Sequence, residues 1–180
     1  ALLEFSLARL RQLSAHEVGH TLGFAHNFAS SVNNRASVMD YPRPLINITY
    51  DSSLDLTSAY DEGIGDWDKV TVAYAYQDFP DGTVEADALR RIILDAHARG
   101  FQFISDRDAR AVGGAHPDAH LWDNGRDAVA ELRRVMEVRK IALENFSARN
   151  IPDGTAMSTL EDVLVPIYLF HRYQTEAAAK

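Results

Sequence analysis

Five residues within one eleven-residue stretch, His16, Glu17, His20, Gly23 and His26, carry the types and spacing of a metal centre. Histidines four apart on a helix project from one face, one turn apart, so His16 and His20 can share one ion. His26 lies six residues beyond His20, where a continued helix would carry it to another side and too far along the axis. Gly23 lies between them. Glycine tolerates the left-handed conformation that ends helices, so the chain can turn there and return His26 to the same ion. Three neutral imidazoles hold Zn²⁺ at about 2.0–2.1 Å and leave a coordination position for water or substrate. Glu17 faces the same cleft without being a ligand, and a carboxylate so placed can take a proton from a metal-activated water. From average residue usage, five such fixed positions arise by chance in a chain of this length on the order of once in 10⁵ sequences.

The elements that must position these residues read as helices. Leu3, Leu7 and Leu10 set a helical apolar pattern that predicts a first helix from Leu2 to Leu22, with Gly23 as its stop. Phe24 to Gly65 is rich in Asn, Ser, Pro, Asp and Gly and reads as a long loop, of the kind that is usually functional or disordered. Asp66 is a candidate N-cap for a second helix with Trp67, Val70 and Tyr74 on one face, and a third is predicted over Val84–His97 with Leu89, Ile92, Ile93 and Ala96 as its stripe. Phe101–Ser105 partly alternates and predicts a short strand, followed by a loop from Asp106 to Gly125. A long helix is expected over Arg126–Arg149 with Leu132, Val135, Met136 and Leu143 inward. The capping box Ser158-Thr159-Leu160-Glu161 should open a last helix that Pro166 kinks. The fold class is therefore mainly α.

Composition narrows the partners. The 180 residues carry a formal charge of −8, which argues against nucleic acid or an anionic membrane surface. Cysteine is absent, so a metal must be held by His, Asp or Glu. No apolar run approaches the roughly 20 residues of a membrane span. Ala1 begins inside a helical pattern without a cap or leader, so the sequence is expected to be part of a longer protein. Export to a periplasmic or extracellular space is expected, with any signal lying upstream.

The run His16-Glu17-Val18-Gly19-His20-Thr21-Leu22-Gly23-Phe24-Ala25-His26 resembles the signature of the metzincins, a clan of zinc endopeptidases. Met39, thirteen residues after His26 in Ser37-Val38-Met39-Asp40-Tyr41-Pro42, fits the clan's Met-turn, whose methionine packs beneath the zinc histidines. Met39-Asp40-Tyr41 resembles the Met-x-Tyr variant, in which the tyrosine ligates zinc or hydrogen-bonds the tetrahedral intermediate. Gly65 to Tyr76 is similar to the Asp-led helix that follows the turn in many members. The pattern looks most like large bacterial zinc-dependent metallopeptidases with additional domains. The resemblance implies a zinc cofactor on His16, His20 and His26, Glu17 as base, Tyr41 as transition-state stabiliser, Met39 as structural support, and a peptide or protein substrate. It covers residues 10–78, so the chain divides into 1–78, the zinc helix, Met-turn and following helix, and 79–180, a helical C-terminal subdomain. It also implies an N-terminal β subdomain, which this sequence lacks. Asn27 departs from the residues that follow the third histidine in familiar members and leaves the subfamily open.

Other clusters read more plainly. His116, Asp118, His120 and Asp123 lie among Pro and Gly, where spacing has no helical meaning, and read as a surface loop. Asp106, Asp108, Asp118 and Asp123 match no calcium-loop template. His97 and His171 read as helix residues, and Arg133, Arg134, Arg139 and Lys140 as a solvated face. Two rival functions stay open at this point: an inactive helical module that at most binds zinc, and a zinc hydrolase acting on something other than peptides.

Overall fold

The computed structural model describes residues 2–114 and 116–180. Helices dominate: α1 (Leu2–Thr21), α2 (Asp66–Tyr76), α3 (Glu85–Ala98), the single turn α4 (Asp106–Ala109), α5 (Ala128–Glu144), α6 (Leu160–Tyr168) and α7 (Arg172–Ala178). The described strands are β1 (Asn47–Ile48) and β2 (Leu54–Asp55), an antiparallel hairpin with Asn47 opposite Asp55, inside the segment expected to be loop. No helix among the described residues is long and apolar enough to cross a membrane.

α1 ends as its sequence dictates. Gly23 takes φ +88°, its N–H donates to the His20 carbonyl at 3.0 Å, and the Phe24 N–H donates to the Gly19 carbonyl at 3.0 Å. This paired 5→2 and 6→1 closure is the Schellman motif. Tyr76, at the end of α2, donates its hydroxyl to the Leu22 carbonyl at 2.7 Å and so ties the second helix to the end of the first.

Two apolar clusters hold the fold. Trp67 and Val70 of α2 pack with Ala36, with Ala96 of α3 and with Phe101. Phe28, Ala109 and Ala119 form the second, with Tyr41, Ile104 and Leu121 against them, so it spans both halves of the chain. α5 packs against α6 and α7.

Several local expectations are corrected. Phe101–Ser105 forms no strand; the side chain of Asn27 holds it instead, its Nδ2 donating to the Gln102 carbonyl at 2.8 Å and its Oδ1 accepting from the Ile104 N–H at 3.1 Å, beside one backbone bond from the Phe28 N–H to the Ile104 carbonyl at 2.8 Å. Gly65, not Asp66, caps α2, because the Asp68 carboxylate reaches back to the Gly65 N–H at 2.7 Å. Asp127 caps α5 through the N–H groups of Val129 and Ala130. Met136 is exposed, and Val138 and Ile141 join Val135 inside. Ser158 lies in a 3₁₀ turn, Met157–Thr159, and makes no side-chain cap. Beyond Pro166 the last helix breaks into α6 and α7, with His171 at the junction. Arg134 and Arg139 are not merely solvated: Arg134 donates to the Ile46 carbonyl and pairs with Glu131, and Arg139 donates to the Tyr168 carbonyl at 2.8 Å.

Candidate metal centre

His16 and His20 leave α1 on one side, and the turn at Gly23 returns His26 to them. Each ring is anchored through Nδ1. His16 donates to the Val38 carbonyl at 2.7 Å, His20 to the Phe24 carbonyl at 2.9 Å, and His26 to the Asp106 carboxylate at 2.7 Å. All three partners can only accept, so each Nδ1 carries the ring proton and each Nε2 presents a lone pair. The Nε2 of His20 lies 3.1 Å from that of His16 and 3.1 Å from that of His26. With no proton between them these contacts are not hydrogen bonds. They are converging lone pairs, an arrangement that a bound cation would stabilise. Tetrahedral ligands at about 2.0–2.1 Å stand roughly 3.3–3.4 Å apart, so this donor set fits zinc closely. The three histidines are the cluster of potential metal ligands found among the described residues.

Electrostatics favour the ligating form of His16. Burial holds the His16 imidazole below its ordinary value, although its hydrogen bond to Val38 opposes this, and His20 and His26 press it in the same direction as burial. His16 is buried, while His20 is exposed and leaves the centre open to solvent. Glu17 is exposed on α1 and close enough to act electrostatically on His16.

The Met-turn packs beneath. Met39 is 2% exposed, and a Cβ on Gly19 would collide with its sulfur. A glycine inside a helix normally costs about 0.5–1 kcal/mol against alanine; here it admits the methionine under the zinc helix. That unforced glycine is the signal by which the sequence could have revealed Gly19. Asp68 holds the turn from below. Its carboxylate accepts from Ser37 Oγ at 2.5 Å, the Val38 N–H at 2.9 Å and the Gly65 N–H at 2.7 Å, and it is buried. Tyr41 sets its ring edge-on to His26, with centroids 4.7 Å apart, and 5.6 Å from His16.

Two supporting residues escaped sequence reasoning. Asp106, weighed there only as a calcium ligand, is the partner that orients His26 from 80 positions away. Burial raises its affinity for a proton, but hydrogen bonds from His26 and Arg110 outweigh that, and its carboxyl sits below the ordinary value. Asn27, read only as a departure from pattern, is 1% exposed and clamps residues 102–104 onto the loop that carries His26, which brings Asp106 within reach. Local spacing carries no trace of either role. The loop histidines stand apart from this centre: His116 Nδ1 accepts from the Asp118 N–H at 3.2 Å, and His120 donates to the Leu121 carbonyl at 2.6 Å.

A family profile described as Met-zincin matches residues 2–180. No curated protein and no solved structure matches the chain.

Proposed function

Because the chain belongs to the Met-zincin family, we propose that it carries the catalytic centre of a zinc-dependent endopeptidase acting on peptides or proteins. The observation that carries this reading is the convergence of three Nε2 atoms, that of His20 lying 3.1 Å from those of His16 and His26, with Glu17 beside them and Met39 below. His16, His20 and His26 would hold the ion. Bound zinc supplies a Lewis acid, which polarises a carbonyl oxygen and lowers the pKa of water. Glu17 takes the proton from the attacking water and passes it to the leaving amine. Tyr41, over the histidines, donates its phenol to the oxygen on which charge develops. The exposed apolar residues Leu3, Leu10 and Val18 of α1, with Leu22 just beyond its end, are where we place the N-terminal subdomain that the family resemblance implies.

The test is Glu17→Gln in the full-length protein. It should keep its zinc by elemental analysis and lose roughly 10²–10⁴-fold in peptide hydrolysis. Undiminished turnover would remove Glu17 from the mechanism. A wild-type protein that holds zinc and cleaves no peptide would favour the inactive-module reading.

A further inference from the structure

Trp122 adopts φ +64°, a left-handed conformation that a bulky residue rarely takes. Such strain persists only where the surroundings over-determine it, and it gathers at functional sites. Here the surroundings are specific. The Trp122 N–H donates to the Tyr41 carbonyl at 2.9 Å, and Asn124 Nδ2 donates to the Arg43 carbonyl at 3.1 Å. Ser31 Oγ donates to Asp123 at 3.2 Å, and the Asn124 N–H donates to Gln174 of α7 at 3.2 Å. Residues 122–124 are thus fastened alongside 41–43 and to the C-terminal helix. The strained backbone lays the indole flat on the Tyr41 ring, with centroids 5.0 Å apart and planes 30° apart. Phe28 and His26 meet the same ring edge-on, at 5.3 and 4.7 Å.

We propose that Trp122 is a positioning residue, whose indole fixes the Tyr41 phenol beside the zinc histidines. The inference rests on the role given to Tyr41 above. An unsupported tyrosine would share its time among staggered rotamers, and a misplacement of about 1 Å at a reacting group costs on the order of 10²-fold in rate. The second half of the chain thereby acts on the reaction without touching substrate.

The test compares Trp122→Gly with Trp122→Phe in the full-length protein. Glycine accepts φ +64° without penalty, so the first variant removes the indole and spares the backbone path; phenylalanine restores a flat ring. Trp122→Gly should lower kcat roughly 10- to 100-fold with KM and zinc content little changed, and Trp122→Phe should recover most of it. In a Tyr41→Phe background Trp122→Gly should cost nothing more, because the hydroxyl it positions is gone. A second readout needs no activity: 3-fluorotyrosine incorporated at Tyr41 should give one sharp fluorine resonance, broadened or split by Trp122→Gly and restored by Trp122→Phe. An equal kcat loss in both backgrounds, a change confined to KM, or an unmoved fluorine line would each overturn the proposal. If the wild-type protein cleaves no peptide, the proposed function falls, while the fluorine line still decides whether Trp122 fixes Tyr41.

Discussion

His16 and His20 rest on backbone carbonyls supplied by the first forty residues, Val38 and Phe24, whereas His26 rests on a side chain, Asp106, from the second half. A carbonyl is present whatever residue occupies its position, so the first two anchors need only that the turn and the Schellman closure form. The third needs one specific carboxylate, delivered by Asn27 gripping residues 102–104. The Met-turn is likewise held from both regions, but there the near support is the identity-dependent one, the Asp68 carboxylate, while Trp122 contributes a backbone N–H. Asp68 supports it from the adjoining helix, and Trp122 and Asn124 support it from the far half. The candidate metal centre is therefore a joint between two regions, in which the anchors of His16 and His20 are indifferent to side-chain identity and the anchor of His26 depends on it.

That comparison can be broken or sharpened by substitution. The largest effect should come from the near side: Asp68→Ala strands the buried Val38 N–H and Ser37 hydroxyl and the half-buried Gly65 N–H. It should cost about 3–5 kcal/mol, read as a fall in Tm of roughly 6–20 °C with loss of bound zinc. Equal Tm values would show that the turn stands without the helix behind it.

Next is the buried meeting of the halves, Asp123 with Asp40 of the Met-turn. Burial, only partly offset by the Ser31 hydrogen bond, pushes the Asp123 carboxyl up to about 7. Burial and the neighbouring Asp123 raise Asp40 well above its ordinary value. The sign follows from which state gives up its proton first. As pH rises from the ordinary carboxylate value toward about 7, the unfolded chain has lost the Asp123 proton while the folded chain keeps it, so stability falls across that window. Asp123→Asn should match wild type near pH 4 and exceed it by roughly 2–4 kcal/mol at pH 8 in thermal unfolding. Parallel pH curves would place the cost elsewhere.

Asp106→Ala probes the far anchor itself. The zinc Kd should rise roughly 10- to 100-fold in a chelator competition, with the helical circular dichroism unchanged. An unaltered Kd would make the three histidines equivalent and dissolve the contrast. The smallest effect marks where the far half ceases to matter. Lys140 and Glu137 pair at 3.5 Å on the exposed face of α5, with side chains 60% and 53% exposed. Lys140→Ala should move Tm by less than about 2 °C.

The legible and illegible parts of the centre divide along the same line. His16, His20 and Gly23 could be read because helical periodicity and glycine's freedom act over one or two turns. Gly19 left a trace, as a glycine in mid-helix. Asn27 and Asp106 left none. Phe101–Ser105 looked like a strand because it alternates, but an amide side chain pairs with it, and no pattern in one sequence announces such a partner. Trp122 lies in a stretch of Gly, Pro and Asp that reads as loop, and its left-handed backbone exists only because four hydrogen bonds around it demand it.

From residue types and spacing alone come a mainly helical chain and a three-histidine donor set with a neighbouring carboxylate; the methionine turn beneath it was implied only by the resemblance to the metzincins. The first two rest on forces that act between near neighbours, where the geometry of a helix and of a turn is already dictated. Folding alone chose which oxygen faces each Nδ1, which carboxylate is buried and which indole lies on Tyr41. Those contacts join residues up to 80 or more positions apart, and packing of the whole chain, not its local conformation, determines which of them meet.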